Sequence, residues 1–251
     1  MQLIPVIDLA RGQAVHAKAG DRARYQPVQS VLTPGRGGDP LALVQAYRDL
    51  VGVRECYVAD LDAIQGRGVQ RDLLRKLIGA ATPCAVMVDA GSHSPAEVTV
   101  LLALGANRVV IGSETLPGFE HLGAAVSAAP PGRVVFSLDL RLGRPILSPE
   151  SAATGVDELI ARAVDAGVDA VIVLDVARVG TAGGVDLDLL RRLRRRFPRV
   201  RLLAGGGVAG PEDLRRLGEA GCDGALVATA LHTGRIGQSS ASASRQVADC
   251  P

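Results

Sequence analysis

The chain has 251 residues, enough for one large domain or two small ones. Hydrophobic residues make up 47% and charged residues 22%, a balance that excludes wholesale disorder. Lys and Arg total 28 against 26 Asp and Glu, a net charge of +2, and aromatic residues are only 2%, so neither a nucleic-acid partner nor a membrane surface is called for. No apolar run approaches the ~20 residues of a membrane span. The opening MQLIPVIDLARG lacks the basic-then-apolar layout of a secretory signal. Cys56, Cys84, Cys222 and Cys250 lie far apart without CxxC spacing. Buried thiols in a reducing cytoplasm are expected, rather than disulfides or a zinc site.

Short Val/Ile/Leu-rich runs then alternate with longer amphipathic stretches. Strands are expected near Leu3–Asp8, Cys56–Asp60, Ala85–Asp89, Arg108–Gly112, Val134–Asp139, Ala170–Asp175, Val200–Ala204 and Gly224–Ala228. Most are near-continuous apolar runs, which suits parallel strands covered on both faces. Between them, Asp39-Pro40 and Ser94-Pro95 read as N-caps with Pro at the first helical position, and Glu97 completes a capping box with Ser94. Eight such units predict an α/β fold, the closed (β/α)8 TIM barrel, over residues 1–236. A doubly wound sheet is the structural alternative, but IDLARGQA after the first strand is not its glycine fingerprint. The segment 237–251 reads as a low-complexity C-terminal tail.

The chain also repeats itself. Asp60 and Asp175 are 115 residues apart, while Pro95 and Pro211, Gly105 and Gly221, and Gly112 and Ala228 are each 116 apart. Asp8 and Asp139 pair at 131, the excess falling in a long first loop, Leu9 to Gly38. The barrel is therefore expected to be built from two repeated half-barrels.

Chemistry in such barrels gathers at the C-terminal strand ends. Here those ends carry Asp8, Asp60, Asp89, Asp139 and Asp175, with Asp62 just beyond. Asp60 and Asp175 either join the site or hold loops. Asp8 and Asp139 are equivalent across the halves and suit proton removal and return. The seventh strand runs into Gly205-Gly206-Gly207, and the eighth into Ala228-Thr229. Glycines let backbone amides approach a phosphate, and a helix start adds its dipole; a tight turn needing glycine is the other reading. The first-half counterparts are Gly91, Gly112 and Ser113, although Asp89 places a negative charge there. In the first loop, His16 is a possible proton donor. Lys18, Arg22, Arg24 and Tyr25 either clamp an anionic group or are solvated. His93 could compensate Asp89, whereas His121 and His232 are expected at the surface. Arg191–Arg196 reads as the polar face and end of a helix.

The residues IPVIDLARGQAV, AGD at 19–21, YVADLDA at 57–63, RVVIGSETL at 108–116, SLDLR at 137–141, VARVGTAGGVDLDLL at 176–190 and AGGGV at 204–208 resemble the HisA/HisF family of histidine biosynthesis, over roughly Met1 to Gly234. The chain is more similar to its isomerase branch than to its cyclase branch. That resemblance implies a phosphorylated ribosyl-amine substrate and an Amadori rearrangement of aminoaldose to aminoketose. It implies Asp8 as the base, Asp139 as the matching strand-five carboxylate, and no metal or organic cofactor. The family's strand-six Asp-Gly-Thr acid motif reads Val179-Gly180-Thr181 here, and its strand-six threonine is Leu174. Its first-half glycines are Asp89-Ala90-Gly91, Ala228 replaces a glycine, and His16 stands where cyclases carry lysine. His16, Asp175, Asp139 and Lys18 are the candidate replacement acids. A paralogue performing a lyase, condensation or cyclisation step, and a non-catalytic phosphometabolite-binding barrel, are the rival readings. The expected partner is a small phosphorylated molecule, bound by a monomer or small homo-oligomer.

Overall fold

The computed structural model describes residues 1–17, 25–149, 155–180 and 184–237. Lys18, Asp21, Arg22, Arg24, Thr181, Cys250 and the expected tail beyond Gly237 lie outside the described residues. Eight parallel strands close into a barrel: β1 Gln2–Ala10, β2 Glu55–Asp60, β3 Ala85–Asp89, β4 Arg108–Gly112, β5 Val134–Arg141, β6 Ala170–Asp175, β7 Arg201–Gly205 and β8 Gly224–Val227. The seam closes where β8 returns to β1, with Gln2 opposite Gly224 and Pro5 opposite Val227. The helices between strands are α1 Pro40–Ala46, α2 Arg71–Ala81, α3 Pro95–Ala103, α4 Phe119–Ala128, α5 Val156–Asp165, α6 Leu187–Arg196 and α7 Pro211–Glu219; a short α8, Thr229–His232, follows β8. This is the (β/α)8 barrel that the alternating pattern predicts. Among the described residues no helix is long and apolar enough to cross a membrane.

Both faces of the sheet are apolar for a physical reason. Every strand sends side chains to the axis, and Ile4, Tyr57, Met87, Val110, Val135, Ile172, Leu203 and Leu226 belong to the inner cluster. Alternate residues such as Val58, Val88, Phe136 and Val171 meet Leu74, Leu101, Leu122 and Leu159 of the surrounding helices. Helix starts follow local chemistry. Asp39 accepts from the Leu41 and Ala42 amides at 3.0 and 2.9 Å, and Ser94 and Glu97 form the capping box. The halves repeat in conformation as well as sequence. Gly105 and Gly221 both end their helices in the left-handed region, with φ of 106° and 90°.

The long first loop begins with an antiparallel ribbon, in which Gln13–His16 turns back on β1 with Val15 opposite Asp8. The arginines of α6 bind their neighbours. Arg192 reaches Asp157 of α5 at 3.1 Å, and Arg194 donates to the carbonyls of Pro198, Val200 and Gly221. Cys56 and Cys222 are buried, and burial pushes both thiols up to about 12, so they are unreactive near neutral pH.

Candidate active site

A cavity of about 400 Å³ opens at the C-terminal ends of the strands, within the size range of small-molecule sites. Strand alternation decides which aspartates reach it. Val6 and Asp8, Met87 and Asp89, and Val135 and Asp139 share the inward parity, and all three aspartates line the cavity. Tyr57 and Ala59 face inward, so Asp60 does not; Ile172 and Leu174 face inward, so Asp175 does not. Both hold loops instead. Asp60 is fully buried and accepts from the amides of Ala63 and Gln70 and from the Gln70 side chain. Asp175 accepts from the amides of Leu142, Gly143 and Ala177 and lies 3.3 Å from the Arg178 guanidinium. Asp175 thus matches the loop-holding reading, and as a candidate acid it is placed outside the cavity lining. Asp62 is a third loop holder. Against the upward push of burial, the Arg67 guanidinium and the Arg11 amide keep its carboxyl below the usual range.

At the inner wall, Tyr57 donates to Asp89 Oδ2 at 2.9 Å, and the Gly91 amide donates to Asp89 Oδ1 at 3.1 Å. Burial, then the charges of Asp89, Asp139 and Asp8, push the Tyr57 phenol well above the ordinary tyrosine range, so it stays a donor. Ser137 donates to Asp139 Oδ1 at 2.9 Å. Gly112 lines the cavity for a steric reason: a Cβ there would stand 3.1 Å from Asp139 Oδ2 and 3.9 Å from Asp89 Oδ2. Ser113 differs from the expectation of an anion ligand. It does not line the cavity; its hydroxyl accepts from the Asp139 amide and donates to the Ile146 carbonyl, which holds the end of β5. Gly91 likewise is not among the lining residues.

The opposite end carries Gly206, Gly207, Ala228 and Thr229, together with Thr233 and Arg235. Gly205 is not in the lining. Its absent side chain is explained by packing, since a Cβ would meet Leu174 Cδ1 at 2.9 Å and Leu226 Cβ at 3.1 Å. Gly206 and Gly207 hold φ of 89° and 91°, and the first amides of α8 have no acceptor within their own helix. His16 belongs to this end, with Nε2 2.9 Å from Thr229 Oγ1. Between the two ends, Leu174, Val176 and Val179 form an apolar wall. Sequence reasoning missed Tyr57, Glu114, Arg141 and Arg235 as lining groups. Tyr57 carried a usable signal, because it shares parity with Ala59 on a strand whose end was already suspect. His93 does not reach Asp89: its amide donates to Glu97 and its ring lies 3.7 Å from the same carboxylate. Among the described residues no group of three His, Cys, Asp or Glu is placed to hold a metal ion.

His232 is buried, not at the surface, and packs against Tyr47 with Nδ1 3.2 Å from Ser30 Oγ. Burial, then the charge of His16, holds its imidazole down at about 4. The unfolded chain takes up this proton near pH 6.5 and the folded chain only near 4, so the unfolded state binds more protons between them. Stability therefore falls as pH drops from 6.5 toward 4, by roughly 2–3 kcal/mol from this group. His232→Gln is expected to flatten that limb in a series of melting curves between pH 7 and 4.5. An unchanged slope would assign the acid sensitivity to other groups.

A closed barrel with inward carboxylates and a glycine turn at its C-terminal mouth has the layout of a (β/α)8 enzyme. The chain belongs to the histidine biosynthesis protein family, whose model matches residues 2–237. It is 33% identical over 238 residues, 94% of this chain and 96% of the relative, to a Thermus thermophilus protein named 1-(5-phosphoribosyl)-5-((5-phosphoribosylamino)methylideneamino)imidazole-4-carboxamide isomerase. A Listeria welshimeri protein of the same name is 33% identical over 242 residues, covering 95% of this chain and 96% of the relative. An uncharacterized Methanocaldococcus jannaschii protein is 31% identical over 236 residues, 93% of this chain and 94% of its own.

Proposed function

We propose that the chain is an isomerase performing an Amadori-type aldose–ketose rearrangement on a phosphorylated ribosyl-amine, as in histidine biosynthesis. One observation carries the reading: Asp8 and Asp139, equivalent in the two halves, line one cavity whose far end is the Gly206–Gly207 turn. Relatives at 33% identity named as isomerases support it. Backbone amides around Gly206, Gly207, Ala228 and Thr229 hold the phosphate, and His16 positions Thr229. Protonation of the ring oxygen opens the sugar and leaves a C1=N iminium. Asp8 removes the C2 proton to give the enolamine; the protonated Asp8 then returns that proton to C1 as the C2 hydroxyl gives its own to Asp139, leaving the C2 ketone. Asp139 supplies the proton for ring opening. The chemistry calls for no metal or organic cofactor.

Two assays test this: turnover of the histidine-pathway aminoaldose by the purified chain, and rescue of a histidine-requiring strain that lacks the isomerase. Turnover and growth are expected. A folded, phosphate-binding protein without turnover would overturn the reading in favour of a paralogue performing another step. The apolar wall of Leu174, Val176 and Val179, where the resemblance implies a threonine and an acid, is the observation behind that rival.

A further inference from the structure

The two glycine turns of the repeat differ in what they present. Gly91 and Gly207 are 116 residues apart, and both hold left-handed backbone, with φ of 66° and 91°. At the same offset, Asp89 corresponds to Gly205, which has no side chain to enter its turn. Tyr57 corresponds to Ile172, at the 115-residue offset that relates Asp60 to Asp175. The Tyr57–Asp89 pair therefore belongs to the first half alone. Asp89 is 8% exposed, and its two oxygens accept from the Gly91 amide and the Tyr57 hydroxyl. Gly112 leaves the space in which Asp89 and Asp139 approach each other.

We infer that Asp89 is a specificity-determining residue that occupies the first-half anion turn with its own carboxylate, so the cavity grips a single phosphate, at the Gly206–Gly207 end, and reads a hydrogen-bond-donating group without negative charge at the other. This rests on the proposed phosphate role of the Gly206–Gly207 end. A phosphate entering at Gly91 would have to displace Asp89 from the amide and then lie beside the Asp89 carboxylate in a low-dielectric pocket, where like charges repel strongly. Arg141 and Glu114 both line the cavity, so together they add no net charge to it. An amide, amine or hydroxyl, by contrast, meets carboxylate acceptors. The second phosphate of a doubly phosphorylated substrate thus adds no grip at this turn.

Calorimetric titration of the full chain at fixed ionic strength tests this, with ribose 5-phosphate and ribulose 1,5-bisphosphate as probes. The unaltered chain is expected to bind both with affinities within about threefold. Asp89→Gly removes the carboxylate, as at Gly205, while Ala90 stays where the second half has Gly206, and it is expected to favour the bisphosphate by tenfold or more. If that variant does not fold, Asp89→Asn, which keeps the volume and removes the charge, is read instead, with a threefold or larger shift expected. A tenfold preference for the bisphosphate in the unaltered chain, or an unchanged ratio in a folded variant, overturns the inference alone. If the unaltered chain binds no ribose 5-phosphate, the phosphate reading and this inference fall together.

Discussion

Asp8→Asn is expected to lower kcat by about 10²–10⁴-fold while leaving the fold and the affinity for ribose 5-phosphate nearly unchanged. The amide has the shape of the carboxylate but cannot accept a proton from carbon. Asp8 stands at the inward end of β1, a strand held on one side by β8 and on the other by β2, where Val6 lies opposite Tyr57. Its backbone is therefore fixed by neighbours that the substitution does not touch. Removing one negative charge from a mouth that also holds Asp89 and Asp139 eases the entry of an anionic ligand, so any change in affinity should be toward tighter binding. Steady-state turnover, with circular dichroism and calorimetry on the same preparation, separates these effects. Undiminished kcat in the variant would remove Asp8 as the base.

Gly206→Ala is the second substitution with a large expected effect, and it acts through structure. The added Cβ would meet the Asp175 carbonyl oxygen, with the Asp175 backbone nitrogen at 3.1 Å, and Gly206 holds a φ of 89°. Left-handed backbone costs an ordinary residue about 1–2 kcal/mol, and overpacking against rigid backbone adds about 1–3. Asp175 cannot yield easily, because its carboxylate is tied to three amides and to Arg178. The expected loss of about 2–5 kcal/mol lowers Tm by roughly 5–15 °C in a chain of this size. Ribose 5-phosphate affinity should also fall, because the turn must move. The same substitution at Gly210, where a Cβ meets nothing within 4 Å, is expected to leave Tm within about 2 °C. Equal Tm values for the two variants would contradict the close packing of this turn on β6.

Much of the architecture was legible from residue order. The strands fall on the Val/Ile/Leu-rich runs, and the Ser94–Glu97 capping box forms as its spacing predicts. The repeat reappears in the left-handed pairs Gly105 with Gly221 and Gly91 with Gly207. The candidate site was legible only in outline. Residue order leaves open whether Asp60 and Asp175 join the site or hold loops, because a parallel strand covered on both faces is apolar at every position, which hides the phase of its alternation. Asp60 and Asp175 differ from Asp8, Asp89 and Asp139 by that phase alone. Partners distant along the chain were equally hidden: His16 meets Thr229 across 213 residues, and Tyr57 meets Asp89 across 32.

Residue order specifies the barrel, its two halves and the rim on which the chemistry gathers, because local propensity, capping and repeat spacing are written in neighbouring residues. Packing in three dimensions sets which carboxylates face the cavity, that Tyr57 donates to Asp89, and that His232 is buried beside Tyr47. Those outcomes depend on the rotation of each strand about its axis and on contacts closed through space. Only packing the sheet into a ring sets them.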